Sequence, residues 1–254
     1  GRTQAGALAA ASHTGAMAGE DSVYDAAFQR AGVLRVKTFE ELFDCAELLA
    51  KQPKPTGPGL AIITNAGGPG VMAADALADY GYEPASLSAE TLHKLDEILP
   101  PYWSKRNPID MLGEAKAELY RKVVEICLNA KEVKGLLIMS APQALSDTAE
   151  VAAGLLDLIR QRPIPIITSW VGGVDMQKGR NIFNQAGIPT FDTPERAVRA
   201  FMDIYRFSKN IEMLQQIPSR LSRRLEFDRQ KAKALIQTGL STDNGLLTEP
   251  ESKT

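Results

Sequence analysis

Short unbroken apolar runs alternate along the middle of this chain with longer stretches in which apolar residues recur three and four positions apart. The runs at 60–64, 135–139 and 165–169 read as buried strands, and those at 85–87 and 189–191 as shorter ones. Helical spacing fills the gaps. Helices are predicted from Met72 to about Tyr80, from the Ser88 cap through Ile98, and over 115–130, 147–161 and 174–186. A last one runs from Thr193-Pro194-Glu195, with proline at the first helical position, to about Met213. Strands alternating with helices of this length make a parallel sheet covered on both faces. Five strands in one run predict an α/β, flavodoxin-like doubly wound domain of strand order 2-1-3-4-5. Ligands of such sheets sit beyond the carboxyl ends of the strands. The turns 65–70, 140–143 and 170–173 all belong to that edge, and residues 107–113 form an irregular loop.

The flanks follow other patterns. Residues 1–19 are rich in Gly, Ala, Ser and Thr and read as a loop, with room for a short Ala-rich helical turn. A helix starts at Glu20-Asp21-Ser22, turns Val23, Ala26, Ala27 and Ala31 inward and stops at Gly32. Residues 33–36 predict a short strand. Thr38 and Glu41 form a capping box for a helix whose apolar stripe is Phe39, Leu42, Phe43, Ala46, Leu49 and Ala50. Pro53, Pro55, Gly57, Pro58 and Gly59 make a linker. Beyond Pro218 the alternation stops. Arg220, Arg223, Arg224 and Arg229 lie among Glu226 and Asp228, a helix is predicted over 228–239, and residues 246–252 resemble a cap and first helical turn.

Composition narrows the function classes. The 254 residues are 44% hydrophobic, enough for a full core and a second small unit. A net charge of −2 gives no broad basic field for nucleic acid or an anionic membrane, and the arginine run reads as a solvated linker face. No apolar run reaches the roughly 20 residues that span a bilayer, and the start shows no signal-peptide pattern. The start at Gly1-Arg2-Thr3 suggests a piece of something longer. Cys45 and Cys127 lie far apart, which fits a reducing cytoplasmic compartment, and two histidines make no His-rich metal site.

The candidate chemistry centres on Thr64-Asn65-Ala66-Gly67-Gly68-Pro69-Gly70-Val71, between a strand and a helix. Glycines there allow close approach of a ligand, and the first free N–H groups of a helix attract anions, phosphate above all. The same turn also reads as a tight connection that binds nothing. Gly68 to Ala73 satisfies G-x-G-x-x-A, yet the second strand offers no acid for a ribose, so a nicotinamide site is poorly supported. A P-loop, receiver-type acids and a Gly-x-Ser-x-Gly elbow are all missing. His13 stands among Ser12, Thr14 and Gly15, where it has little to pack against. It reads either as a plain loop histidine or as a nucleophile able to take up a phosphoryl group.

Together these segments resemble the NDP-forming acyl-CoA synthetases, relatives of succinyl-CoA synthetase. Residues 1–19 with Ser12-His13-Thr14-Gly15, and Tyr24-Asp25-Ala26-Ala27-Phe28, are similar to that family's phosphohistidine segment. Thr64 to Gly70, Asn107-Pro108-Ile109-Asp110 and Thr193-Pro194-Glu195-Arg196-Ala197-Val198 resemble its second flavodoxin-like domain. Residues 228–236 and 246–251 resemble the entry to its ATP-grasp domain.

The resemblance implies a domain map: 1–56 as the end of a first flavodoxin-like domain, 57–213 as a second, and 214–254 as linker and start of ATP-grasp. It implies reversible conversion of acid, ATP and CoA to acyl-CoA, ADP and phosphate, with His13 as phosphoryl carrier. It further implies phosphate binding at Asn65, Ala66, Gly67, Gly68, Gly70 and Val71, and substrate contacts at Ser12, Thr14, Asn107, Asp110, Gln143 and Gly172. No metal ligand or tightly bound cofactor is expected in this chain; CoA, ATP or ADP and Mg belong to the full-length enzyme. The expected partners are an acyl-CoA or small carboxylic acid, phosphate, nucleotide, and the remaining CoA-binding and ATP-grasp domains, with a homo-oligomer also open. Two other readings stand beside this one: an acyl-CoA-sensing region of a protein lysine acetyltransferase, and a plain phosphate- or nucleotide-binding flavodoxin-like module.

Overall fold

The structure is a computed structural model that describes residues 2–14, 20–144, 146–160, 162–216 and 228–241, with the side chains of residues 13 and 14 left out. It divides into two compact units, Gly1–Gln215 and Gln216–Thr254. The arginine run at 220–224 and the segment 246–252 lie outside the described residues.

The first unit holds a parallel sheet of β1 (Leu60–Thr64), β2 (Ile109–Asp110), β3 (Gly135–Ser140), β4 (Ile166–Trp170) and β5 (Thr190–Phe191). Their order, β2-β1-β3-β4-β5, is the doubly wound order predicted from sequence. β1, β3 and β4 are buried at every position, which explains continuous apolar runs in place of alternation. Helices α1 (Gln4–Thr14), α2 (Asp21–Arg30) and α3 (Phe39–Lys51) precede the sheet. Between and after the strands come α4 (Gly67–Asp79), α5 (Ala89–Asp96), α6 (Ala117–Leu128), α7 (Thr148–Ile159), α8 (Gln177–Gln185) and α9 (Pro194–Gln215). One sheet face packs Leu95, Tyr120, Val123, Leu155 and Phe183 from α5 to α8. The other packs Cys45, Leu48, Ala73, Leu77, Val198 and Phe201 from α3, α4 and α9. Gly135 is a packing glycine: a methyl there would stand 2.4 Å from the Phe201 ring. Within the second unit, α10 (Arg229–Leu240) starts at Asp228, whose carboxylate accepts from the N–H groups of Gln230 and Lys231.

Several local expectations are corrected. The second strand is 109–110, inside the segment that reads as a loop, and 85–87 is no strand. The cause is Asn107. Its Oδ1 accepts from Ile62 N–H at 2.9 Å and its Nδ2 donates to the carbonyls of Leu60 and Ala85 at 3.0 Å each. One carboxamide thus does the work of a ladder along the start of β1. Residues 33–36 form no strand either; Leu34, Arg35 and Val36 make no backbone hydrogen bond among the described residues, and a strand exists only through its neighbours. Residues 4–14 are a helix of 11 residues. Ala, the strongest helix former, outweighs the small-residue loop signal, and the Thr3 hydroxyl accepts from Gly6 N–H. In α3 the periodic stripe Phe39, Leu42, Phe43, Ala46, Leu49 and Ala50 is exposed, while Glu41, Asp44, Cys45 and Leu48 are buried. Finally, α4 begins at Gly67, well before Met72.

Candidate active site at the carboxyl edge of the sheet

The early start of α4 defines the site. Thr64 Oγ1 accepts from Ala66 N–H at 3.0 Å and donates to Ala66 O at 2.8 Å, folding the chain out of β1. Ala66 caps α4, so Gly67, Gly68 and Pro69 are its first helical residues. The opening N–H groups of a helix have no intrahelical partner. Ala66 N–H is taken by Thr64, and Pro69 has none to offer. Among the described residues, the two amides left without a partner at this helix end are those of Gly67 and Gly68, both exposed. Gly70 serves packing: a methyl there would meet Thr64 Cγ2 at 3.3 Å and Pro108 Cβ at 3.4 Å. The Val71 side chain projects into solvent. Of the residues expected to bind phosphate, Gly67 and Gly68 have the geometry for it.

Asn65 has another task. Its side chain is buried, donates to Ala141 O at 3.0 Å and accepts from Ala141 N–H at 2.8 Å. This two-bond clamp fixes the turn after β1 against the turn after β3. Asn107 is likewise spent on β1 and Ala85. Asp110 ends β2 in register with Thr64, and its Oδ1 accepts from Leu112 N–H at 3.0 Å. A methyl on Gly67 would lie 3.1 Å from Asp110 Oδ2, so this carboxylate stands beside the first residue of α4. Gln143 bridges to Ser146 and lies over Gly113. Gly172, at φ 144°, occupies a backbone conformation that glycine permits. Sequence reasoning missed Arg180, which donates from Nη2 to Trp170 O and Gly172 O at 2.6 Å each and sets a cation at that turn. Its partners lie 8 and 10 positions upstream in a glycine turn, where helical periodicity gives no signal.

His13 occupies the last turn of α1, and its side chain and that of Thr14 lie outside the described residues. The Ser12 hydroxyl donates back to Ala9 O at 2.8 Å. Other nucleophiles are poor candidates. Burial, with Asp203 and Asp44 near the first thiol, pushes both Cys45 and Cys127 up to about 12. Among the described residues no three of His, Cys, Asp or Glu converge as a cluster that could hold a metal ion. A wide groove of about 1100 Å³ lies at the far end of α4, among Arg35, Tyr80, Asp203 and Arg206. Within it Arg35 pairs with Asp21 and Asp25, and Tyr80 donates to Asp203.

A family model described as "Ligase-CoA domain" matches residues 60–215, and one described as "Succinyl-CoA ligase like flavodoxin domain" matches residues 1–49. The chain belongs to the ligase-CoA domain family. Among its relatives, the alpha subunit of an acetate–CoA ligase [ADP-forming] I from Pyrococcus furiosus is 37% identical over 211 residues, 82% of this chain and 46% of that protein. An acetate–CoA ligase [ADP-forming] I from Archaeoglobus fulgidus is 38% identical over 93% of this chain and 33% of its own length. The chain thus spans about half or less of the curated relatives it matches. A dinucleotide forming acetyl-coenzyme A synthetase 1 of Ca. Korarchaeum cryptofilum, solved in complex with phosphate and ADP, superposes with TM-score 0.79 at 32% identity, over 84% of this chain and 47% of that one. Family membership and the α/β, flavodoxin-like fold read from the sequence both stand. No helix among the described residues is long and apolar enough to cross a membrane.

Proposed function

We propose that this ligase-CoA chain is the central part of an ADP-forming acyl-CoA synthetase and carries its phosphoryl relay. The observation that carries the reading is the pair of free amides of Gly67 and Gly68 at the head of α4, in a chain that also bears the Ser12-His13-Thr14 segment. In the proposed sequence, phosphate oxygen attacks the acyl-CoA thioester and CoA leaves as thiol. A nitrogen of His13 then attacks the phosphorus of the acyl phosphate, forming an N–P bond and releasing the carboxylic acid. ADP oxygen attacks the same phosphorus, the N–P bond breaks, ATP forms and imidazole is restored. Gly67 and Gly68 amides hold the non-bridging oxygens where charge builds up. CoA, nucleotide and Mg bind on the further CoA-binding and ATP-grasp domains of the assembled enzyme, whose oligomeric state is open. The two free, buried thiols fit a cytoplasmic setting.

In this reading, residues 1–56 end a first flavodoxin-like domain, 57–213 form the second, and 214–254 lead toward an ATP-grasp domain. Support comes from α3, whose exposed apolar stripe needs a cover, and from residues 33–36, whose backbone has no ladder. Both features suit helices and an edge that belong to a larger parallel sheet.

The test is γ-labelled ATP added to the assembled ligase, followed by acid-lability of the protein-bound label. His13→Asn should abolish the label while ADP binding persists. Undiminished labelling of His13→Asn would remove the carrier role.

A further inference from the structure

The Pro- and Gly-rich segment between the two matched family regions reads from sequence as a linker, and the structure binds it down along its length. Gln52 Oε1 accepts from the N–H of Ile166, the first residue of β4, at 2.9 Å. Pro55 and Gly57 are buried. Lys134 N–H donates to Gly59 O at 2.7 Å, and a methyl on Gly59 would stand 2.6 Å from Glu132 O. A connector fixed in this way to the starts of β3 and β4 leaves no slack for a hinge.

Upstream of that strap, α9 grips the chain in two places. Near its start, Arg196 pairs with Asp44, and Arg199 lies against Glu40 and Glu41. Near its end, Asn210 Nδ2 donates to Gln29 O at 2.8 Å. Gly32, at φ 65°, turns so close to Ile211 that a methyl would stand 2.7 Å from its Cδ1. A helix of 22 residues is about 33 Å long, so α9 serves as a spine for both α2 and α3.

The seam between α3 and α9 is charged where an apolar one is usual. The buried positions of α3 are Glu41, Asp44, Cys45 and Leu48, at helical spacing, while its apolar stripe faces away. Apolar seams tolerate small slips. A paired carboxylate–guanidinium contact forms in one register only, and a buried ion pair is best attested as a device for fixing register. Cys45 and Leu48 from the same seam enter one core with Leu60, Leu137 and Phe201.

We infer that residues 20–52 and 60–215 open and move as one body, locked by the α3–α9 charge seam and the 52–59 strap. The boundary between the two matched family regions is therefore not a hinge. The inference concerns the seam and stands whether or not the head of α4 binds an anion. For the relay proposed above it sets a limit: any rearrangement during turnover leaves α3 and α9 engaged.

Two buried thiols report on it, Cys45 in α3 and Cys127 in α6, in the cores on opposite faces of the sheet. The full chain is exposed to a thiol-specific reagent at increasing urea below the unfolding transition, and the label on each cysteine is read by mass spectrometry. Each rate is divided by the rate of that cysteine in the fully unfolded chain. One body exposes both thiols through the same opening, so the two ratios should agree within about threefold and share one urea slope. In Arg196→Ala both should rise by a common factor. Cys45 reacting about tenfold or more faster than Cys127, with a shallower urea slope, would show α3 undocking by itself and overturn the inference. Acceleration of Cys45 alone in Arg196→Ala would do the same. The wild-type comparison decides the matter even where Arg196→Ala does not fold.

Discussion

Arg196 lays its guanidinium against the Asp44 carboxylate, Nε to Oδ2 and Nη2 to Oδ1, each at 2.7 Å. Asp44 is 3% exposed. The pair joins α3, at the end of the segment that matches the flavodoxin-domain model, to α9 of the segment that matches the ligase-CoA model. Glu40 adds contacts to Arg196 and Arg199, and the Arg196 guanidinium lies over the Phe191 ring.

The two partners of this pair should respond unequally. Arg196→Ala leaves a buried carboxylate without its cation, and the expected loss is about 3 kcal/mol. Asp44→Ala strands a guanidinium that still reaches solvent, Glu40 and Asp192, so about 1–2 kcal/mol should go. Arg196→Lys should recover little, because an ammonium cannot make the paired contact. Urea melts of the three variants rank them; equal losses for Arg196→Ala and Asp44→Ala would contradict the asymmetry.

The Asn65 clamp makes a second expectation. Asn65→Ala strips Ala141 of a donor and an acceptor partner at a buried position, for a loss of about 2–3 kcal/mol. Hydrogen exchange at the Ala141 amide should accelerate more than exchange in the middle of β3. In Asn65→Asp, the ionised acid would face Ala141 O, which raises its folded-state pKa. That variant should be most stable at low pH and weaken as pH rises. A flat pH response of Asn65→Asp relative to wild type would show that the clamp is loose.

Glu132 gives a pH dependence of opposite sign. Burial alone would raise its pKa, but hydrogen bonds from Ser88 N–H and the Thr91 hydroxyl, each at 2.8 Å, overcome this and hold it at about 2. A depressed carboxylate contributes stability above its unfolded pKa of about 4.3, and the contribution is lost as pH falls toward 2. Glu132→Gln should therefore cost about 1–2 kcal/mol at pH 7, discounted for partial exposure, and nothing near pH 2. Thermal melts of both proteins across that range should converge at the acid end.

The sheet order was legible because three strands are buried on both faces, and unbroken apolar runs are their signature. The second strand was not, because it is two residues long and its neighbour along β1 is a side chain, Asn107. Single-sequence patterns carry no information about a carboxamide standing in for backbone. The α3 stripe reads as apolar from its spacing, and in the structure it is exposed while Glu41, Asp44, Cys45 and Leu48 are buried. Periodicity reports that a face is apolar and carries no information on what, if anything, covers it. At the candidate site, glycine spacing pointed to the turn at the head of α4. The division of labour within it depended on which amides Thr64 and Pro69 remove, and on the reach of Asn65 across to Ala141. Both belong to tertiary geometry.

Gly68 and Gly135 stand in opposite surroundings. Gly68 is the second residue of α4, and nothing lies within 4 Å of the place its methyl would occupy. Glycine in a helix costs roughly 0.5–1 kcal/mol against alanine. On stability grounds Gly68→Ala should leave the fold intact and raise its stability by a few tenths to about 1 kcal/mol. The added methyl would crowd whatever approaches the Gly67 and Gly68 amides, and in the assembled ligase phosphoryl turnover should fall about tenfold or more. Gly135→Ala is the contrast: it meets the Phe201 ring at 2.4 Å and should cost about 1–3 kcal/mol through overpacking, with no specific effect on anion binding. Measuring melting and phosphate titration on both variants gives the decisive comparison. If Gly68→Ala is both more stable and undiminished in phosphate binding, the head of α4 is a plain turn.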